Sequence, residues 1–266
     1  MKRKFCVTLL IICGLGFQFF LISSAGNDTI NIYDLNEQQT AIQAINELYS
    51  GNPEKAYILI NEAIKVEPNA PQLYNTRALV RGALHDYYGA FDDYAHAIFL
   101  ATDYPTPYYN RANLLRDLGQ YQKALSDYNA AIAFNFKGGG AYINRGYVKL
   151  EQLQDIEGAF SDFDTVIKSG DESEGAYYGR AVCNYHKGYY EKTISDATKA
   201  ILLNYKNPDA YLIRGQAKIK LKQIQSGLQD LQWAEQQYNQ LLDTSGAKKA
   251  KDLYIYYSSY YSRKGS

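Results

Sequence analysis

The sequence predicts an all-α chain, a solenoid of about six helical hairpins followed by a C-terminal capping helix. Three observations carry this expectation. Tyr-x-x-Arg-(Ala/Gly) recurs at Tyr74, Tyr108, Tyr142, Tyr177 and Tyr211, at spacings of 34, 34, 35 and 34 residues, a period that marks stacked supersecondary units. An aspartate follows each of these arginines by 16 or 17 residues, at Asp93, Asp127, Asp162, Asp196 and Asp230. It lies inside a second apolar-periodic segment such as KALSDYNAAI, so each unit holds two helices. Finally, Tyr108, Arg111, Ala112 and Leu115 fall at i, i+3, i+4 and i+7, which puts an arginine on the stripe expected to face the core.

Residues 1–25 belong to a different regime. Lys2, Arg3 and Lys4 precede eighteen mostly apolar residues from Phe5 to Ile22, and Ser23 and Ala25 give a small-x-small ending. This reads as a secretory signal cleaved near Ala25, before Gly26. The alternative is an uncleaved anchor over residues 5–22, which is just long enough to span a bilayer but is interrupted by Gly14, Gly16 and Gln18. Cys13 follows bulky Ile12, which argues against a lipid-modified leader. A linker is expected over 26–36, where Asn27 heads a glycosylation sequon.

Six units are expected near 37–70, 71–104, 105–138, 139–173, 174–207 and 208–241, with residues 242–266 forming the capping helix and tail. Pro53 after Asn52 predicts a capped helix start; Pro68 and Pro208 are read as following helices they cannot continue. Gly138, Gly139 and Gly140 predict a flexible joint, and the extra residue of the fourth unit is placed between its helices, within KLEQLQDIEG. In 242–266, Ala250, Leu253, Tyr254, Tyr257 and Tyr261 share one helical face; a frayed tail or an extended YIYYSSYY is the alternative.

From about Glu37 to Tyr238 the chain resembles the tetratricopeptide repeat family. Ala112, Ala124 and Ala131 occupy the family's small-residue contacts in the third unit, with Gly119 and Tyr121 at the turn and Tyr128 in the second helix. Ala78, Ala90, Ala97, Tyr87 and Tyr94 do so in the second unit, and Ala56, Ala63 and Pro68 mark a degenerate first one. Thr193 and Gly227 replace the alanine that opens the second helix in units five and six, which reads as local looseness, and arginine stands where the family more often has leucine. The resemblance implies a right-handed superhelix whose first helices line a concave, partner-binding face.

The repeating charges read as structural ion pairs within each hairpin: Arg77 with Asp93, Arg111 with Asp127, Arg145 with Asp162, Arg180 with Asp196 and Arg214 with Asp230. The first unit has Gln43 and Leu59 at these places and so lacks both partners together, whereas pairing across units would leave Arg77 alone. If buried, such a pair specifies more than it stabilises; if solvated, it contributes under about 1 kcal/mol.

No catalytic constellation emerges. His85, His96 and His186 have neither triad nor metal-ligand spacing, and Cys183 falls on a buried stripe. No cofactor or metal is expected, and FKGGG lacks the ending of a phosphate loop. Loss of Lys2, Arg3 and Lys4 with the leader takes 28 basic residues to 25 against 28 acidic ones, which disfavours nucleic acid as a partner. Only Cys183 lies outside the leader, so the cleaved chain has no intrachain disulfide. What remains is a binding surface. Through the resemblance it falls at Tyr109, Asn113, Arg116, Tyr147, Tyr178, Tyr185 and His186, rich in tyrosine as is the whole chain with 27 copies. It lacks the cluster of lysines and asparagines with which the family grips acidic tails; only Asn113 and Arg116 approach it. The expectation is an exported, periplasmic or secreted, non-enzymatic interaction module for a peptide or partner protein. A membrane-anchored assembly subunit, touching the membrane only through an uncleaved N-terminal segment, is the alternative; oligomeric state is open.

Overall fold

The computed structural model describes residues 7–8, 22–23 and 39–264. Two-residue strands β1 (Val7–Thr8) and β2 (Ile22–Ser23) pair antiparallel, Val7 opposite Ser23 and Thr8 opposite Ile22. The other residues before 39, which carry the expected signal or anchor with Cys6, Cys13 and Ala25 and the expected linker with Asn27, lie outside the described residues. The remainder is helical, and it divides into two compact units, Met1–Arg145 and Gly146–Ser266.

Unit 1 contains α1 (Gln39–Tyr49), α2 (Pro53–Val66), α3 (Pro71–Ala83), α4 (Tyr87–Leu100), α5 (Pro105–Asp117), α6 (Tyr121–Ala133) and most of α7 (Gly140–Tyr147). Helices pack on their chain neighbours, and first helices also touch the next first helix, α1 on α3 and α3 on α5. Alanines set the spacing: Ala78, Ala90, Ala97, Ala112, Ala124 and Ala131 are wholly buried, which lets backbones approach closely. The hairpin without the repeating arginine and aspartate is filled instead by Ala41, Ala44, Ile45, Ile60, Ala63, Ile64 and Leu73.

Unit 2 opens with a π-helical turn (Val148–Gln152) and continues through α8 (Ile156–Lys168), α9 (Glu174–His186), α10 (Tyr190–Leu203), α11 (Pro208–Lys220), α12 (Ile224–Gln240) and α13 (Thr244–Lys264). The C-terminal segment is a helix of 21 residues, neither frayed nor extended. Its Ala247, Ala250, Leu253, Tyr254, Tyr257 and Tyr261 join the cluster of Leu228, Leu231, Ala234 and Tyr238. Ile255, Tyr256 and Tyr260 remain exposed on its other side.

The turns explain the period. Each first helix ends on a left-handed residue at one register: Gly51, His85, Gly119, Gln154, Gly188 and Lys222. The next amide closes the end on a carbonyl five residues back, as from Asp86 to Arg81, Gln120 to Leu115, Tyr189 to Asn184 and Gln223 to Lys218. In the fourth hairpin Asp155 reaches six back, to Lys149. The extra residue therefore sits in the π-helical turn and not between the helices. Absorbed there by one wide turn, it leaves the left-handed Gln154 and the capping Asp155 in register.

Other expectations are corrected. Asn52 does not cap α2; its amide donates to Glu47 Oε2 at 2.9 Å, leaving Pro53 alone as the start signal. The side-chain caps are Asp86, Asp155, Asn207 and Asp243, which accept from the backbone amides of Gly89, Gly158, Asp209 and Gly246. Pro208 opens α11 behind the Asn207 cap; α10 has already ended at Leu203. Thr193 and Gly227 are not loose. Thr193 is wholly buried, and a side chain on Gly227 would meet the Gly215 carbonyl oxygen at 2.8 Å, so α11 and α12 touch backbone to backbone.

Candidate functional site

In four hairpins the arginine meets its aspartate. Arg77 donates through Nε and Nη2 to Asp93 at 2.9 and 2.6 Å, and Arg111 likewise to Asp127 at 2.6 and 2.8 Å. Arg180 reaches Asp196 at 3.0 and 2.7 Å, and Arg214 reaches Asp230 at 2.9 and 2.8 Å. These are two-point, charge-assisted contacts. The carboxylates are 4 to 10% exposed and the guanidinium side chains 15 to 24%, so the pairs are neither solvated nor sealed. The aspartate hydrogen bonds raise Arg77, Arg111 and Arg180 above the ordinary arginine range, against the effect of burial. Arg145 closes unit 1 while Asp162 lies in unit 2.

The tyrosine of the repeating motif has a partner role. Tyr74, Tyr108, Tyr142, Tyr177 and Tyr211 each lie against their own arginine, with the guanidinium carbon 5.1 to 5.9 Å from the ring centre. A third contact was not foreseen. Nη1 turns back to the second helix of the preceding hairpin: Arg77 to Asn61, Arg145 to Asn129, Arg180 to Asp164 and Arg214 to Thr198. Arg77 is thus bound on both sides, and the arginine joins successive hairpins as well as closing its own. The acceptor is always 16 residues before the arginine, but its identity changes, and only that fixed offset marks it in the sequence.

The expected binding residues divide by unit. In unit 1, Tyr109 is only 2% exposed: its ring stacks on Phe136 at 4.2 Å and its hydroxyl accepts from Asn144 Nδ2 at 3.1 Å. Asn113 Oδ1 accepts from Tyr128 and from Asn144, and Asn110 donates to Asn75 at 3.0 Å. These are buried polar ties between successive first helices, and desolvation holds them inward once each donor has an acceptor. Asn110 and Asn144 stand directly before the repeating arginine, the signal that sequence reading passed over. Arg116 pairs with Asp117 at 3.0 Å.

In unit 2 the same register stays partly open. Tyr147, Tyr178 and Tyr185 are half-buried and His186 is exposed. Tyr147 packs edge-on against Phe163 and donates to the Gly175 carbonyl at 2.8 Å. Burial pushes the phenols of Tyr147 and Tyr178 upward, reinforced by Glu151, Glu174 and Asp209 nearby. Glu174 accepts from the Asn207 amide and Asp209 from the Tyr238 hydroxyl. Burial raises the Glu174 carboxyl above its usual range, the Asn207 hydrogen bond opposes this, and the charge of Asp209 adds to the rise. Beside this face, an open hollow of about 480 Å³ is lined by Gln216, Ser245, Lys248, Lys249, Asp252 and Leu253.

The remaining candidates have local partners. His85 Nδ1 meets the Tyr87 hydroxyl at 2.8 Å, and the His96 ring packs tilted against Tyr74 with centroids 4.2 Å apart. Cys183 is buried, its thiol pushed up to about 12 by burial. Among the described residues, no three His, Cys, Asp or Glu side chains are grouped so as to hold a metal, and no helix is long and apolar enough to cross a membrane.

Comparison with known proteins agrees with this architecture. Residues 105–136 match the tetratricopeptide repeat. A tetratricopeptide repeat-containing protein of Methanocaldococcus jannaschii is 28% identical over 155 residues, 58% of this chain; the match spans only 27% of that relative. Among solved structures, Pseudomonas aeruginosa pilF superposes with a TM-score of 0.71 at 14% identity, over 80% of this chain and 95% of its own. PilW, described as a type IV pilus biogenesis factor, gives 0.65 at 15% identity over 83% and 99%. YrrB, described as a repeat protein with an unusual peptide-binding site, gives 0.60 at 18% identity over 73% and 97%. These likenesses establish the fold as a tetratricopeptide-type array of helical hairpins.

Proposed function

We propose that this protein is an exported, non-catalytic interaction module that holds an extended peptide or partner surface against the first-helix face of unit 2. The carrying observation is a contrast on the first-helix face: Tyr109 and Asn113 are spent on internal ties, whereas Tyr178, at the register of Tyr109, keeps open surface together with Tyr185 and His186. Half-buried tyrosines give contact area at low conformational cost, as interaction surfaces require. The tetratricopeptide fold is itself commonly a protein-binding one, and the peptide-binding site in the description of YrrB supports the same use of the array. Export rests on the charged, apolar and small-residue succession of residues 1–25.

The test is a pull-down with the wild type and with Tyr178→Ala/Tyr185→Ala, positions less committed to internal hydrogen bonds than Tyr147. Loss of specific partners from an otherwise folded variant is expected, and identical captured sets would remove the face from consideration. The mass of the exported protein tests cleavage near Ala25; a product that keeps residues 5–22 would instead be tethered.

A further inference from the structure

Glu174 differs from the buried aspartates of the array. Asp93, Asp127, Asp162, Asp196 and Asp230 are buried, and each has an arginine or lysine on its carboxylate. Asp164 has both Lys168 and Arg180. Glu174 is half-buried at the start of α9, and its partner is the neutral amide of Asn207. Its charged neighbour is a second carboxylate, Asp209 at the start of α11, which receives the neutral hydroxyl of Tyr238. Among the described residues, no lysine or arginine pairs with either.

The surroundings are aromatic. Tyr147 and Tyr178, on successive first helices, lie within electrostatic reach of Glu174 and Asp209, and Glu151 adds a further negative charge. A half-buried carboxylate beside a like charge is costly unless a cation is brought to it. Tyrosine rings with carboxylates behind them suit a guanidinium or ammonium group, which the ring faces and the oxygens both attract. An acidic segment would meet like charge, and an apolar one would desolvate the carboxylates with nothing in exchange.

We propose that the first-helix face of unit 2 selects a partner segment carrying a basic side chain, an arginine or lysine whose cation is received by Glu174 and Asp209 against the rings of Tyr147 and Tyr178. This rests on the reading of that face as the binding surface and adds the charge of what it binds. The occupant is an extended peptide stretch, since the groups that would receive it are spread along the first helices α9 and α11 and the segment ending in the π-helical turn.

The test uses the full chain and immobilised nonapeptide pools with mixed flanks and a fixed central residue: arginine, lysine, citrulline, norleucine or glutamate. Arginine and lysine pools should retain the protein about tenfold or more over citrulline and norleucine, the discrimination of a charge-assisted hydrogen bond, and glutamate least of all. Glu174→Gln/Asp209→Asn keeps acceptors for Asn207 and Tyr238, so it preserves the fold; it should bring the arginine-to-citrulline ratio close to one. Equal retention of arginine and citrulline pools by the wild type, or a ratio unchanged in the double variant, overturns the inference. Retention by no pool overturns it as well. In each of these cases the pull-down with Tyr178→Ala/Tyr185→Ala separately decides whether the face binds a partner of another kind.

Discussion

The hairpins α5–α6 and α9–α10 are built on the same motif and differ in how much is attached to it. In α5–α6, Arg111 and Asp127 hydrogen-bond each other; Ala95 stands where an acceptor from the preceding hairpin would be, and Leu115 where a second donor residue would be. In α9–α10, Arg180 also reaches Asp164 of the preceding hairpin at 2.7 Å, and Asn184 adds a third hydrogen bond to Asp196 at 2.9 Å. The pair inside a hairpin is thus the constant element, and the link between hairpins is variable. In a linear array, stability is divided between units and their interfaces, so this variation tunes the interfaces one by one.

The largest expected effect separates the two hairpins directly. Asp196→Ala strands the buried Asn184, leaves Arg180 only its contact with Asp164 and should cost about 3 kcal/mol, whereas Asp127→Ala strands only a partly exposed Arg111 and should cost about 2 kcal/mol. Urea unfolding of the full chain measures both, and equal losses would remove the distinction. A smaller effect concerns the link alone. Asp164→Ala should lose about 1 kcal/mol, and Ala95→Asp, which supplies the acceptor that Arg111 lacks, should gain no more than about 0.5 kcal/mol because alanine is the better helix former. A gain from Asp164→Ala together with a loss from Ala95→Asp would show that the link opposes folding.

The same link has a pH signature. Burial favours the protonated form of Asp164, but hydrogen bonds from Lys168 and Arg180 outweigh it and hold the carboxyl below its usual range. With the folded value below the unfolded one, its contribution is present above about pH 4 and is lost as pH falls through the folded value. The stability gap between wild type and Asp164→Asn should therefore close as pH drops from about 5 toward 2, while Asp127→Asn offers a comparison without the link. The smallest effect is at the turns. Lys222 is exposed and left-handed at the register where Gly119 and Gly188 sit, so Lys222→Gly should raise stability by about 0.5 to 1 kcal/mol. The same change from Gly119 to Ala should lower it.

Two other regions teach a related lesson about the candidate site. Position five of the hairpin carries tyrosine in both α5 and α9, yet Tyr109 is sealed under Phe136 and Asn144 while Tyr178 keeps part of its surface. Sequence reading treated them alike because it sees one residue type at one register. What distinguishes them is the neighbouring hairpin: an asparagine before the next arginine reaches back to Tyr109, whereas Ile213 stands at the equivalent place in α11 and has no side-chain donor to offer Tyr178. The fold was legible because small residues, tyrosines and charges repeat at a period only stacked hairpins satisfy. The placement of the inserted residue was not, since a π-helical turn carries no composition signal and is chosen to keep Gln154 and Asp155 in register.

By itself, then, the sequence determined the helical hairpins, their number and the pairing of Arg77, Arg111, Arg180 and Arg214 with the aspartate of their own hairpin, because all of these are set by contacts within about one repeat. Only the tertiary structure decided which tyrosines stay open, that each linking arginine spans two hairpins, and that Glu174 and Asp209 share a place without a cation. Those outcomes depend on side chains one repeat or more away, whose reach and desolvation are settled only when neighbouring hairpins are packed together.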